Sequence, residues 1–371
     1  MTALDVDVVI AVHSPERCVE RAVGSVLYGT SSPVRVTVVA HDLDPAVVVG
    51  RLGGLARDAR VRVVGFVDGV RSPAGPFNHG LDLASAAYTS VLGSDDLLEP
   101  GAVDSWLARA RRDDADVVVA RQRHGGGRPI RTPVTRPWRT RSLDAVRDRL
   151  AYRSAPLGLV SRSRFGGLRF TSGVAVGEDV AYVAELWFGG ARVSLDRGPA
   201  YVVMDDAADR TTMEARSVDA ELAYLDVALD VASGLDAAQR TALATKLLRV
   251  HVFGVVHNRP EPSFWQMDAR RDLAIAAAKI LEAAPDAAAP LSRADHELLR
   301  AITDAAVPVG TLLQAASARR RFGRPATLVP ADLRRLFHRE APPRFMAASV
   351  LAGRPARRRS STERPARPAR G

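Results

Sequence analysis

The chain has 371 residues, of which 47% are hydrophobic and 25% charged, and its formal net charge is +10. This length predicts one large domain or two smaller ones with a full apolar core. The single cysteine, Cys18, cannot form an internal disulfide, which suits a reducing compartment. No stretch has the length of a membrane span, and the N-terminus lacks the layout of a signal peptide, so we expect a soluble cytoplasmic protein.

The positive charge is concentrated near the C-terminal end. Residues 319–371 contain 15 arginines and three acids, so the preceding residues are close to neutral. The charge has no interleaved aromatic residues or groove-reading element beside it, and we therefore predict no nucleic-acid binding. A basic tail fits better with anionic lipid or an anionic polymer, and it would hold the protein peripherally at the inner face of the membrane. Residues 331–340 could add a weak amphipathic contact, or could equally form a solvated helix packed on the body.

Strands and helices alternate over the first 120 residues. Apolar, β-branched runs at 6–12, 34–40, 61–67 and 88–92 predict buried strands, and the stretches between them have helical spacing. Short connections between such elements favour an α/β fold with a mostly parallel sheet flanked by helices. No Gly-x-Gly-x-x-Gly follows the first strand and no P-loop sequence occurs, which removes most support for dinucleotide enzymes and P-loop phosphohydrolases.

Helix-starting residues and changes in composition predict where individual elements begin. Ser14 and Pro15 are expected to begin the first helix, and Pro100 to begin the helix after the fourth strand. From about residue 215 the composition shifts to Ala, Leu and Asp at helical period, interrupted by Pro and Gly. His251 and His257 lie six residues apart in an apolar helix, so they do not share a face and a structural role is expected.

Three regions follow from these patterns. We divide the chain into an α/β domain at 1–214, a helical C-terminal region at 215–340 and a basic, Arg/Pro-rich tail at 341–371 that is expected to be largely disordered. The helical region could dock an acceptor, form a dimer or cover the sheet, and an oligomer is possible.

Acidic residues follow directly on the fourth predicted strand. Residues 88–92 run into Gly93, Ser94, Asp95 and Asp96. A buried strand that ends in acids is how open α/β sheets build ligand sites. Two adjacent carboxylates repel unless a cation holds both ionised, and Mn²⁺ or Mg²⁺ bridging to a phosphate suits hard oxygen ligands. An equally weighted alternative is that these acids cap the next helix.

Five short segments occur in an order and at a spacing that resemble family 2 of the inverting glycosyltransferases, whose nucleotide-sugar-binding domain is of the GT-A type. The resemblance covers roughly residues 5–205; each segment alone is weak, and the series is more specific. The segments are Val8–Ser14, Val38–Asp42, Asn78–Gly80, Leu92–Asp96 and Gly177–Asp179.

The resemblance implies a donor site and a catalytic base. The nucleobase would be bound by residues that follow the first two strands, and the phosphates would lie beside the Asn-x-Gly segment. Asp95 and Asp96 would hold the metal, Mn²⁺ or Mg²⁺. Asp179, with Glu178 as its neighbour or substitute, would take the proton from the acceptor hydroxyl. The alternative for these two acids is a simple interaction with the helix dipole. The residues implied in nucleotide-sugar binding are Val12, His13, Asp42, Asn78, Gly80, Ser94 and Asp95.

The chain also departs from the family pattern. Gly93 stands where the first acid of Asp-x-Asp-Asp is usual, which removes one metal ligand. Phe77 replaces the usual Arg before Asn-x-Gly, and His41 replaces the first of two acids after the second strand. The usual Pro and Tyr-Asn after the first strand are also missing, and Ala11, His13 and Ser14 stand there.

Two functions are therefore expected in order of preference. The first is a metal-dependent inverting glycosyltransferase that uses a nucleotide-diphosphate sugar, most simply a UDP-sugar. Its acceptor would be a hydroxyl of a cell-surface glycan, a teichoic-acid-like polymer or a lipid-linked intermediate. The second is a degenerate, non-catalytic relative that binds sugar nucleotides and serves as an assembly or scaffold partner.

Overall fold

The structure is a computed structural model that describes residues 3–204 and 216–352. Two sheets contain the strands β1 (Val6–Val12), β2 (Val34–His41), β3 (Val61–Phe66), β4 (Tyr88–Gly93), β5 (Leu97–Leu98), β6 (Val117–Val119), β7 (Gln122–His124), β8 (Pro129–Ile130), β9 (Gly158–Ser161), β10 (Val193–Leu195) and β11 (Tyr201–Val203).

The helices flank the larger sheet and continue into the C-terminal region. They are α1 (Val19–Gly29), α2 (Pro45–Leu52), α3 (Ala74–Asp82), α4 (Ala102–Asp113), α5 (Arg162–Phe165), α6 (Asp179–Phe188), α7 (Val218–Leu222), α8 (Leu225–Ser233), α9 (Ala237–Lys246), α10 (Phe253–His257), α11 (Met267–Ala283), α12 (Arg293–Thr303), α13 (Val309–Arg319), α14 (Pro325–Leu328) and α15 (Pro342–Ala352).

The larger sheet has seven strands in the order β10-β6-β9-β4-β1-β2-β3. All neighbours pair in parallel except β9, which runs antiparallel to both β4 and β6. The mixed α/β class and the mostly parallel sheet are confirmed. The continuous apolar run of β1 places it at the centre, since a strand covered on both faces needs apolar residues at every position.

Each face of this sheet has its own apolar core. One face, with Val8 and Ile10, packs against α1, α2 and α4. The other face, with Val9 and Val39, shares one continuous core with α3, α6 and the helices that follow residue 216. The helical region therefore covers the sheet rather than folding around a separate core, and the predicted boundary at 214/215 lies outside the described residues.

Several predicted element boundaries are corrected. The first helix begins at Val19, because Ser14 instead closes a local turn in which its hydroxyl accepts from the Glu16 N–H at 3.2 Å. The helix after the fourth strand begins at Ala102, with Gly101 as its N-cap at a φ of 82°. Strand β5 intervenes, so Pro100 does not begin that helix and the acids after β4 do not cap it.

The C-terminal part of the chain also differs from expectation. Residues 331–340 contain only a short 3-10 turn, Leu333–Arg335, in place of an amphipathic helix. Helix α15 lies within the stretch expected to be a disordered tail, so residues 342–352 of that stretch are helical instead. Residues 353–371, the remainder of that predicted tail, lie outside the described residues.

Candidate active site

The carboxyl ends of the parallel strands β2, β1 and β4 bring two of the predicted acidic loops to one edge of the sheet. Strands β2 and β4 both pair with β1. The loops that follow them, with Asp42 and Asp95, are therefore about 10 Å apart, which is two strand spacings. Such an edge is where open α/β sheets bind ligands.

Asp42 is held in a defined orientation by the loop after β3. Its φ of 50° is left-handed, and its carboxylate accepts from the N–H groups of Asp68 and Gly69 at 3.2 and 3.3 Å. The buried His41 ring lies beside it, with Nε2 at 2.8 Å from the Asp68 carboxylate and 3.4 Å from that of Asp42. This carboxylate remains partly exposed at the cleft edge.

The other residues predicted to bind the nucleotide sugar fall into two groups. The Val12 and Ser94 side chains are buried, so only their backbone could face a ligand, whereas His13 is exposed at the end of β1. Gly80 packs so closely on β1 that an added Cβ would lie 2.2 Å from Val9 Cγ1, and this packing accounts for the glycine. Asn78 exchanges two hydrogen bonds with the backbone of Phe170, at 2.8 and 2.9 Å. Their binding roles remain predictions.

An aromatic column connects α3 to α6. Phe77 packs on Phe170 with ring centroids 5.4 Å apart, and Phe170 stacks on Tyr182 at 4.6 Å with nearly parallel planes. Phe77 thus has a packing role at the position where the family pattern has Arg. Thr171, the residue after Phe170, donates its N–H to the Glu178 carbonyl at 2.9 Å. This hydrogen bond connects the aromatic column to the start of α6.

Glu178 and Asp179 form a partly buried pair of carboxylates at the N-terminus of α6. Burial raises the pKa of Glu178 to about 7, and the neighbouring Asp179 carboxylate adds to this effect. Burial also raises the pKa of Asp179 to about 6, while the Lys246 ammonium acts in the opposite direction. Carboxyl groups whose pKa values lie near neutrality are suited to exchange protons with a ligand.

The Lys246 ammonium belongs to the helical region, where it is part of a short chain of hydrogen-bonded side chains. Lys246 is 1% exposed, and its Nζ lies 2.6 Å from Nε2 of His251, whose Nδ1 is hydrogen-bonded to the Tyr224 hydroxyl. Burial lowers the pKa of Lys246 to about 8 and that of His251 well below its usual value, so His251 is neutral. The Tyr224 ring covers Gly177, where an added Cβ would lie 2.1 Å away.

A π-helical segment makes this contact possible. Residues five apart do not share a face of an α-helix, but a π-helix aligns them through its i to i+5 bonds. The segment Leu247–Val252 is π-helical, and it brings His251 back over Lys246. Sequence reasoning missed both residues as part of the site. A signal was present, since the chain has only two lysines against 50 arginines and one of them lies in an apolar stretch.

The raised pKa of Glu178 has a consequence for stability. The folded chain retains a proton that the unfolded chain releases above its usual pKa of 4.5, so the free energy of unfolding falls as pH rises from 4.5 to about 7. We expect Glu178→Gln to stabilise the protein at pH 8 by about 1–2 kcal/mol and to have little effect at pH 4.5. Urea unfolding at the two pH values measures this difference, and an equal effect at both would contradict it.

The acids that follow β4 have protein partners already. Asp96 accepts from the Tyr201 hydroxyl at 2.6 Å and from the Met204 N–H at 2.9 Å, and the same hydroxyl accepts from the Gly93 N–H at 2.9 Å. Asp95 forms an ion pair with Arg17 at 2.9 Å. Gly93 stands in place of a third acid, and the metal-binding role of Asp95 and Asp96 stays a prediction. Within residues 3–204 and 216–352, the one trio of His, Cys, Asp or Glu side chains whose ligand atoms lie within 4.8 Å of one another is His41, Asp42 and Asp68.

Comparison with solved structures identifies the fold. The chain is similar to TarS 1–349 of Staphylococcus aureus in complex with UDP-GlcNAc, with a TM-score of 0.69 and 15% identity over 85% of this chain and 92% of that one. TarS 1–349 in complex with UDP gives a TM-score of 0.67 at the same identity, over 85% and 91%. A longer TarS chain is covered over 55% of its length, with a TM-score of 0.66. The predicted GT-A fold is confirmed.

Sequence comparison adds one partial relative. A stretch of 118 residues is 31% identical to the succinoglycan biosynthesis protein ExoO of Rhizobium meliloti, and it covers 31% of this chain and 32% of ExoO. The match thus spans about a third of the length of that relative. No family model matches the chain. None of the helices in the described part of the chain combines the length and apolar character needed to cross a lipid bilayer.

Proposed function

We propose that this chain is an inverting glycosyltransferase that moves a sugar from a UDP-linked donor to an acceptor hydroxyl, with Asp179 as the general base. The observation that carries the proposal is the Glu178–Asp179 pair, whose pKa values of about 7 and 6 place it between charged and neutral states near physiological pH. The TarS structures, which were solved with UDP and with UDP-GlcNAc on the same fold, support the donor class.

The proposed reaction needs one proton acceptor and one leaving group. The acceptor oxygen attacks the anomeric carbon from the face opposite the diphosphate, while Asp179 takes the hydroxyl proton. The bond between the anomeric carbon and the β-phosphate oxygen breaks, and its electron pair leaves with UDP. Glu178 would share the proton after transfer, since both carboxyls titrate in the same range.

The uracil base would be bound at the loops after β1 and β2. The Asp42 carboxylate is held by two backbone N–H groups and is still partly exposed, so it can accept a further bond from the ring N–H of uracil. The His41 ring lies between the Asp42 and Asp68 carboxylates and contacts both.

For the acceptor we propose a hydroxyl of a surface glycan or polymer. ExoO is named for succinoglycan biosynthesis, and this is the observation that favours a polysaccharide acceptor over a small molecule. Contact with the inner membrane surface through the basic tail also stays a proposal, because residues 353–371 lie outside the described part.

Thermal unfolding with added nucleotides tests the donor class. We expect UDP and UDP-GlcNAc to raise the Tm of the full chain in proportion to the logarithm of their concentration, because they bind only the folded state. ADP, which has the same diphosphate and a different base, is the matched control and should have a much smaller effect. Equal stabilisation by ADP and UDP would contradict the uracil site.

A further inference from the structure

A segment with a large excess of positive charge follows β6. Residues 121–141 contain seven arginines and no acid. Two of these arginines lie in ion pairs with acids elsewhere in the chain. Three others, Arg131, Arg139 and Arg141, are exposed, and their side chains form no ion pair within residues 3–204 and 216–352. This part of the surface therefore attracts anionic ligands.

The same segment contains an exposed tryptophan. Trp138 is 81% exposed, whereas the other three tryptophans of the chain are buried. It occupies the third position of a tight turn in which the Arg139 N–H donates to the Arg136 carbonyl at 3.1 Å, and its φ is 60°. Glycine adopts this left-handed backbone freely, whereas a bulky residue is strained there. Neither packing nor backbone preference accounts for a tryptophan at this position.

The turn that carries Trp138 is held at both ends. Before the turn, the fully buried Asp148 carboxylate accepts from the Arg136 N–H at 2.8 Å and from the Arg136 guanidinium at 2.6 and 2.9 Å. After the turn, the Thr140 carbonyl accepts from the Leu195 N–H at 2.8 Å. The backbone below the indole is thus fixed in advance, so less conformational freedom is lost when a ligand covers it.

The contact with Leu195 places this turn at the same edge of the sheet as the candidate active site. Leu195 ends β10, which runs parallel to β4 because β9 is antiparallel to both β4 and β6. Three strand spacings, about 14 Å, separate β10 from β4. Helix α6 packs on the sheet and leads back into β10, so Glu178 and Asp179 at its start lie toward this edge as well. A chain of a few sugar residues can span such a distance.

We propose that Trp138, with Arg139 and Arg141, binds the part of an anionic polysaccharide acceptor that extends away from the reacting hydroxyl. This inference rests on the proposed function, because it takes the carboxyl edge of the sheet as the site of sugar transfer. The flat indole can stack on the apolar face of a sugar ring, while the exposed guanidinium groups pair with acidic groups of the polymer. A neutral glycan would gain nothing from these arginines.

Quenching of tryptophan fluorescence by acrylamide tests the contact in the full chain. All four tryptophans lie in the described part of the chain and only Trp138 is exposed, so the quenchable emission reports on this residue. We expect dextran sulfate to shield the emission from acrylamide and neutral dextran of the same length to have no effect. Polyphosphate, which has the charge but no sugar ring, should leave the emission quenchable.

Substitutions separate the roles of ring and charge. Calorimetry should show that the unchanged chain prefers dextran sulfate to polyphosphate of equal charge. This preference should fall by about 5- to 30-fold in Trp138→Gly, the effect of removing an aromatic residue from the centre of an interface, and persist in Trp138→Phe. Glycine suits the φ of 60°, so Trp138→Gly should fold and keep its Tm.

The arginines are tested against a control with the same change of charge. Joint replacement of Arg139 and Arg141 by Gln should raise the dextran sulfate concentration that half-shields Trp138 by about tenfold or more, because two charge-assisted contacts are lost. Joint replacement of Arg357 and Arg358 by Gln, in the basic tail, should leave that concentration unchanged. An effect of the tail pair alone would mean that the polymer is bound elsewhere, and it would overturn the proposal.

Three further results would overturn the proposal. They are full quenching of Trp138 in the presence of dextran sulfate, equal shielding by polyphosphate, and shielding by phosphatidylglycerol vesicles only, which would identify a membrane contact. In each case the proposed function stands if UDP still raises the Tm. Failure of UDP to stabilise the chain would instead overturn the proposed function, and with it the assignment of this surface to an acceptor.

Discussion

Replacement of Asp179 by Asn is expected to reduce the rate of sugar transfer by about 10²–10⁴-fold, the usual contribution of a general base. Asn has nearly the same shape as Asp, so α6 and its packing on the aromatic column should persist. It cannot accept a proton from the acceptor hydroxyl. UDP-GlcNAc affinity should therefore change little, and the loss should appear in kcat. Release of UDP from a set of UDP-sugars, with and without glycan acceptors, measures the rate.

The matched control lies on the same helix. Glu185 is exposed, so Glu185→Gln should transfer sugar at the unchanged rate. If Asp179→Asn keeps its rate while Glu178→Gln loses it, Glu178 is the base. If the unchanged chain binds UDP-GlcNAc but neither transfers nor hydrolyses it, the non-catalytic alternative is correct.

The central part of the fold was predictable because its physical requirements are local. Strands β1, β2 and β4 are covered on both faces, and such strands need the unbroken apolar runs that the sequence shows. Parallel pairing then places the residues after them, including Asp42 and Asp95, at one edge. The antiparallel strand β9 was not predictable in the same way, because its four residues carry no signal of direction.

The contacts around the acids were not predictable, because they join residues far apart in the chain. Whether Asp95 is an open ligand depends on Arg17, and whether Asp96 is one depends on Tyr201, more than one hundred residues later. The motif identified the loop but not the state of its carboxylates. The role of His251 was likewise hidden, since its alignment with Lys246 exists only in a π-helical segment.

Replacement of Lys246 by Met is expected to move the acidic limb of the rate–pH profile to higher pH. The Lys246 ammonium favours the ionised form of Asp179, so its loss should raise the Asp179 pKa above about 6. Loss of an opposite charge near a carboxylate typically changes its pKa by about 1–3 units, and we expect the lower end because Lys246 makes no ion pair with Asp179 within 4 Å among the described contacts. A base must be ionised to act, so the rate at pH 6.5 should fall several-fold and recover by pH 8.5.

Other titratable groups near Asp179 could also shift the rate–pH profile if their charge changed over the same pH range. Glu178 is the neighbour of Asp179 at the start of the helix, Lys246 and Tyr224 interact with Asp179 electrostatically from the helical region, and His251 is hydrogen-bonded to both of these. His251 is neutral and Tyr224 is protonated across this range, because burial lowers the pKa of the first and raises that of the second. Only Lys246 and Glu178 therefore change charge, and Glu178→Gln shows how much of the profile Glu178 contributes.

The second lysine provides the control for the first. Lys279 is exposed and pairs with Asp226 at 2.6 Å on the surface, so Lys279→Met should leave the pH profile unchanged. A packing defect in Lys246→Met would lower kcat by the same factor at every pH, whereas a change in the charge on Asp179 must disappear once the pH exceeds its new pKa. A uniformly lowered profile would mean that Lys246 only fills space beside α6. A shifted profile with an unchanged plateau would mean that the helical region sets the charge of the catalytic base.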